Sequence, residues 1–141
     1  MVSYLQLERT AGGTIEVQEP VVFDAVLSSG GTQIAYNTAT GELSFNEAGH
    51  YYIDWFVAPQ FGLPTDGSNF AIVTSDGAVL TGSSHVRVSP TVGFAIIEVT
   101  LPNTVASLIN TSDSGLTLSQ AVNTKAALAV FAVAGPDTAA E

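Results

Sequence analysis

The sequence predicts an all-β fold, an antiparallel sandwich of about ten strands, and three observations predict it. Apolar and polar residues alternate with a period of two through most of the chain. Turn residues break that alternation roughly every eight to twelve positions, the spacing of a sandwich or barrel. No segment carries the i, i+3, i+4 apolar spacing of an amphipathic helix. At 141 residues and 14.5 kDa the chain fits one domain over 1–141. An ordered core is expected at about 3–135, with residues 136–141 as a tail.

Leu5 and Leu7 alternate with Gln6 and Glu8 in a first strand, which Gly12-Gly13 ends. Ile15, Val17 and then Val21 to Phe23 read as an extended segment interrupted at Pro20, a residue suited to an edge or a bulge. Ser28 to Gly31 reads as a loop and Gln33 to Asn37 as a short strand, after which Thr40-Gly41 turns the chain into Leu43 to Phe45. Gly49 to Ala58 is a longer strand. It has Tyr51, Ile53, Trp55 and Val57 on one face and Tyr52, Asp54 and Phe56 on the other, so both faces are expected to be covered.

Pro59 to Asn69 is the longest irregular stretch, broken by Gly62, Pro64 and Gly67. Loops of this kind often carry recognition, which makes Phe61, Asp66 and Asn69 candidate contact residues. Phe70 to Thr74 and Ala78 to Leu80 read as a hairpin across Ser75-Asp76-Gly77, because Asp-Gly readily takes the positive φ angles of a tight primed turn. His85 to Val88 follows, then Val92 to Leu101 with Pro102-Asn103 as a stop, Val105 to Asn110, and a turn at Ser112 to Gly115.

The last strand, from about Lys125 to Ala134, has no polar residue between Ala126 and Ala134. Its alanines would suit a helix, but the run is short and bounded by Asn123 and Gly135-Pro136, and interleaved Leu, Val and Phe favour a strand. A strand apolar on both faces is central, with one face on the core and the other against a second cover. The small side chains of Ala127, Ala129, Ala132 and Ala134 would let a neighbouring chain approach closely.

Thirteen acidic residues against three Lys and Arg (Arg9, Arg87 and Lys125) give a net charge of -10. Nucleic-acid and anionic-membrane binding both need clustered positive charge and are not expected. Disorder is not expected either, since 46% of residues are hydrophobic, 11% are charged, and the mean hydropathy is +0.35. A folded monomer of this mass exposes roughly 7,000 Å². So few charges cover it thinly, leaving the rest to small polar residues or to a subunit interface. Cysteine is absent, which removes disulfides and thiolate metal sites. No apolar run of about 18 residues suggests a spanning helix, and MVSYLQLERT does not read as a signal peptide.

Tyr36 to Val57, YNTATGELSFNEAGHYYIDWFV, places Tyr36, Leu43, Gly49, Tyr51, Ile53 and Trp55 at a characteristic spacing. It resembles the motif of complement component 1q globular heads and tumour necrosis factors: an aromatic or Leu, a Phe, then Gly-x-Tyr-x-Phe and a further aromatic. Leu43 and Ile53 stand where the family has Phe. Upstream, the expected Phe and Asn or Asp fall on Ala25 and Gly31, with Phe23 two residues early. The cysteine-free second half, rich in Ser, Thr, Ala and Gly, is similar to the C-terminal domain of bacterial collagen-like surface proteins, nearest in style to Bacillus-type spore-surface glycoproteins.

The resemblance implies a ten-stranded jelly roll, a tight homotrimer, and a non-catalytic head that nucleates and caps a collagen-like stalk at a cell or spore surface. Its partners would be two further copies of itself and a host receptor or glycan, with no cofactor. Tyr51, Ile53 and Trp55 would line either the trimer axis or the sandwich core, and Ala127, Ala129, Phe131 and Val133 join them as candidates for interface or core. The alternative is a receptor- or glycan-binding tip of a phage fibre or lectin-like adhesin, with Pro59 to Asn69 as its contact region.

Enzyme chemistry has no comparable support. There is no Gly-x-Ser-x-Gly elbow, and Gly12-Gly13 and Gly30-Gly31 lack the Lys or helix start of a phosphate loop. His50 and His85 lack metal-ligand spacing, and Asp66 and Asp76 sit in turns where Asp ordinarily satisfies local backbone donors. Asp54 is either a polar contact of Arg87, Lys125 or a tyrosine hydroxyl, or a half-exposed carboxylate. Asn110-Thr111-Ser112 matches the N-glycosylation triplet by chance.

Overall fold

Period-two alternation places successive side chains on opposite faces, so the fold follows from which strands pair and which face each turns inward. The computed structural model describes residues 2–60, 67–84 and 90–135. Among them lie twelve strands and no helix: β1 (Tyr4–Arg9), β2 (Thr14–Ile15), β3 (Ala25–Gly30), β4 (Ile34–Asn37), β5 (Glu42–Phe45), β6 (Gly49–Val57), β7 (Ser68–Thr74), β8 (Val79–Ser84), β9 (Thr91–Val99), β10 (Thr104–Asn110), β11 (Leu116–Thr117) and β12 (Ala126–Ala132). Ten of them form two five-stranded antiparallel sheets, β3-β1-β12-β6-β9 and β4-β5-β10-β7-β8, while β2 and β11 pair as a short ribbon. The chain repeatedly crosses from one sheet to the other, giving a ten-stranded jelly roll.

The core lies between the sheets. Leu5, Leu7, Tyr51, Ile53, Trp55, Val57, Leu128 and Val130 come from the first sheet, and Leu43, Phe45, Phe70, Ile72 and Leu108 from the second. Phe45 and Tyr51 meet with ring centroids 4.6 Å apart, and the Tyr51 hydroxyl donates to the Glu47 carbonyl at 2.8 Å. Burial, with the Glu47 charge adding to it, pushes the Tyr51 hydroxyl above the usual tyrosine range. Tyr36 packs edge-on to Phe23 at 6.1 Å, and its hydroxyl accepts the Phe23 N–H at 2.8 Å. The motif from Tyr36 to Trp55 therefore supplies much of the sandwich interior.

At the β8–β9 side the two sheets close on each other through glycines. A β-carbon at Gly82 would fall 2.8 Å from the Gly93 Cα and 2.8 Å from the Val92 carbonyl oxygen. The Trp55 indole fills the adjacent space, 3% exposed, and its Nε1 has no hydrogen-bond partner among the described residues.

Three segments differ from the sequence expectation. Ser28 to Gly31, read as a loop, is largely strand: β3 covers Ala25–Gly30 and pairs with β1 across a register shift at Gln6 and Leu7. The exposed edge of β1 supplies a backbone partner, which outweighs the weak strand preference of Ser and Gly. The extended reading of Ile15 and Val17 stops at Ile15, because residues 16–19 turn with Gln18 at φ 67° and the Glu19 N–H bonded to the Glu16 carbonyl. Pro20 then bridges Ile109.

The β7–β8 hairpin is present, but its turn is not primed. Gly77 has a positive φ of 99° and Asp76 does not, and the Gly77 N–H donates to the Thr74 carbonyl. That arrangement is a type I turn closed by a glycine bulge. The Thr74 and Asp76 side chains are hydrogen-bonded to each other, which holds the tip.

Candidate assembly interface

The outer face of the β3-β1-β12-β6-β9 sheet carries the most unusual surface among the described residues. Register places Gln6, Ala129, Asp54 and Phe94 in one row across β1, β12, β6 and β9. The adjoining rows are Tyr4, Phe131, Tyr52 and Ile96 on one side, and Glu8, Ala127, Phe56 and Val92 on the other. Cross-strand partners share a face, so these side chains form one patch. The Tyr52 and Phe131 rings meet in its middle with centroids 5.3 Å apart, tilted by 43°. Phe94 is 69% exposed, Val92 64% and Ile96 60%, and Phe131, Tyr4 and Val133 are also exposed.

Between β1 and β6 the small side chains of Ala127 and Ala129 leave a groove of about 440 Å³, walled by Gln6, Asp54, Phe56, Pro90 and Val92. Asp54 and Gln6 are the polar residues lining this groove, both exposed, and neither is hydrogen-bonded or ion-paired to any of the described residues. Of the two cations that the sequence offered to Asp54, one is engaged elsewhere and the other is not described. Lys125 donates to the Val122 carbonyl, and Arg87 lies outside the described residues. Arg9 is likewise committed, donating to the carbonyls of Ala11 at 3.0 Å, Gly12 at 2.9 Å and Val22 at 3.2 Å. At the rim, His50 and Glu98 approach to 3.8 Å with both side chains exposed, a pair that contributes little.

The structure divides the sequence candidates by face. Tyr51, Ile53 and Trp55 point into the core, whereas Ala127, Ala129 and Phe131 lie on the outer face and Val133 follows the end of β12, exposed. Ala132 goes inward with Leu128 and Val130, because its position in the alternation matches theirs. Asn69 is half-buried in β7 and serves that strand: its N–H donates to the Ser112 hydroxyl at 2.7 Å and its Oδ1 accepts from Ser83. Phe61 and Asp66 lie outside the described residues.

Val92, Phe94 and Ile96 were not singled out from the sequence, although β9 carries the doubly apolar alternation that drew attention to β6 and β12. Asn110 is fully buried, with Nδ2 donating to the carbonyls of Ile15 at 2.8 Å and Ser114 at 3.2 Å, so the Asn110 triplet cannot accept a glycan in the folded protein. Among the described residues no group of three His, Asp or Glu side chains could hold a metal ion.

No protein-family model matches the sequence, and no curated protein matches it. Solved structures do. The globular domain of the zebrafish complement 1qA protein superposes with a TM-score of 0.72 over 96% of this chain and 100% of that one, at 14% identity. The chain has the jelly-roll fold of complement component 1q and tumour necrosis factor. Eiger TNF from S. frugiperda is also similar, with a TM-score of 0.64 and 13% identity over 97% of this chain and 96% of that one. So is vertex protein P5 of PRD1, at 0.60 and 14% over 94% and 96%. At such identities the likeness is one of fold.

Proposed function

We propose that the chain is a non-catalytic globular head that assembles as a homotrimer through the outer face of the β3-β1-β12-β6-β9 sheet. In doing so it drives assembly and surface display of an elongated, collagen-like bacterial surface or spore-coat protein. The supporting observation is the uncovered apolar patch. With a full aromatic side chain offering about 200 Å², the exposed parts of Tyr4, Val92, Phe94, Ile96, Phe131 and Val133 sum to on the order of 600 Å². That sits at the upper limit of patches on monomers and near the roughly 800 Å² that each partner buries in a standard interface.

The apolar term, at about 25 cal/mol per Å², is on the order of 15 kcal/mol per face before association costs are subtracted. Three copies bring 3 × 10 = 30 negative charges together. Asp24, Glu42, Glu47, Asp76 and Asp113 lie off the rows of this face, and a screening length of about 8 Å at physiological salt weakens their mutual repulsion. Sedimentation at micromolar concentration tests the reading. The expected mass is three times 14.5 kDa, and a monomer overturns it. Gly-X-Y codons upstream of Met1 in the gene would support the collagen-like shaft.

The long irregular stretch from Pro59 to Asn69 favours a second reading, a receptor- or glycan-binding tip. Binding on a glycan array, lost on substitution within residues 59–69, would support that role.

A further inference from the structure

We infer that a cleft beside β2, lined by Arg9 and Glu19, binds one unit of a neutral saccharide. The site is formed within a single chain, so it goes beyond the assembly reading and does not depend on it. It is also distinct from the stretch at 59–69. Arg9 closes β1 on the side shared by Leu5 and Leu7, away from the face proposed to assemble. There Thr14, Pro20 and the β4–β5 turn at Ala39 and Thr40 enclose with it a space of about 400 Å³. That volume lies toward the lower end of the range that takes small molecules. Ile15, Pro20 and Val22 give the cleft its apolar surface.

Charge in this cleft is held in place without being neutralised. The Arg9 guanidinium donates to the carbonyls of Ala11, Gly12 and Val22 through Nε, Nη2 and Nη1. Three neutral acceptors orient it and leave its charge intact, with two of the five N–H groups of a guanidinium unpartnered among the described residues. Glu19 accepts the Glu16 N–H through Oε1 at 2.9 Å, and its Oε2 has no partner among the described residues. Neither Arg9 nor Glu19 is ion-paired to any of them. Two opposite charges therefore line one cleft, each tied to its own stretch of backbone.

That arrangement selects the ligand. An anion would meet Glu19 in a chain of net charge -10, and a cation would meet Arg9. A pair of adjacent hydroxyls suits both groups, because one oxygen accepts from the guanidinium while its neighbour donates to the carboxylate. Hydrogen bonds to ionised partners are the stronger kind, and a neutral diol gains them on both sides without burying a charge of its own. The Thr40 hydroxyl, whose bond to Glu42 is 3.4 Å long, is a further partner on the turn. The C–H groups of a sugar ring match the apolar surface of Ile15, Pro20 and Val22.

The test is a titration of isotopically labelled protein, followed by NMR, with the methyl glycosides of glucose, galactose, mannose, rhamnose and N-acetylglucosamine, and with glucuronic acid as the anionic control. At least one neutral glycoside is expected to give saturable shifts of the Gly12, Thr14 and Thr40 amides, with a dissociation constant in the millimolar range. Glu19→Gln is the decisive variant, because Gln retains the oxygen that accepts the Glu16 N–H and loses only the charge. It is expected to weaken binding by about tenfold with the unfolding midpoint unchanged. Arg9→Lys, which loses the fork, should weaken it by at least as much. Silence from every neutral glycoside overturns the site, as does binding that Glu19→Gln leaves unchanged. Tighter binding of glucuronic acid overturns the diol reading, and shifts that cluster away from Arg9 and Glu19 overturn the location. Sedimentation reports the trimer separately, so either reading can fail without the other.

Discussion

Trp55 and Gly93 are direct partners across the β6–β9 ladder, and the indole of one occupies the space a side chain on the other would need. A β-carbon at Gly93 would stand 2.2 Å from Trp55 Cζ2 and 2.6 Å from Cε2. The ring cannot retreat toward the second sheet, because β8 closes there through Gly82. Gly93→Ala is therefore expected to destabilise the fold by about 3 kcal/mol or more, at the upper end of overpacking costs. Urea unfolding measures it, and a change below about 0.5 kcal/mol would show that the ring has room to move.

A loop clamp at Asp24 sets a pH dependence. Its carboxylate accepts the backbone N–H of Thr10 at 3.0 Å and of Ala11 at 2.9 Å, and the Thr10 hydroxyl at 3.1 Å. Slight burial pushes the carboxyl up, but these hydrogen bonds and the Arg9 charge outweigh it and hold it below its ordinary value of 3.8. A carboxylate depressed on folding contributes stability that is present above the unfolded value and lost as pH falls through the folded one. Asp24→Asn is expected to cost about 1 kcal/mol at pH 7, modest because the site is exposed. The gap between wild type and variant should shrink as pH drops below 3.8. Paired denaturation curves at pH 7 and pH 3 read this directly, and a gap that widens at low pH would contradict it.

Asn110 holds the segment after β10 against β2. Its Nδ2 donates to the Ile15 and Ser114 carbonyls and its Oδ1 accepts the Ser112 N–H at 2.9 Å, all around a fully buried side chain. Removing it leaves buried backbone groups unpaired, so Asn110→Ala should cost about 3 kcal/mol in thermal or chemical unfolding. Wild-type protein secreted from a eukaryotic host should show no glycan at this triplet if folding precedes modification.

In the proposed assembly Asp54 opposes association more than it serves the fold. It lies exposed, without a partner among the described residues, and is surrounded by Phe94, Ala129, Tyr52 and Phe56 on the face proposed to be covered. Asp54→Asn should leave monomer stability within about 0.5 kcal/mol and tighten self-association by about tenfold, since a neutral amide is cheaper to desolvate. Analytical ultracentrifugation of the two proteins distinguishes this from a bridging role for the carboxylate, which would weaken the assembly instead.

The alternation in Gly49 to Val57 and Ala126 to Ala132 and the glycines at 41 and 77 are properties of the chain itself. They determined that this is an antiparallel β protein, where several of its strands and turns fall, and which residues share a face. Tyr51, Ile53 and Trp55 are one set by period alone, as are Ala127, Ala129 and Phe131. Which set faces inward was decided only in the folded molecule, because it depends on partners such as Phe45 against Tyr51 that pair across the two sheets. The same holds for β3, whose Ser-Ser-Gly sequence becomes a strand because β1 offers it an edge. The row of Gln6, Ala129, Asp54 and Phe94 draws on four strands spread from one end of the chain to the other. Local pattern cannot register such a row, because strand order and register arise from long-range pairing.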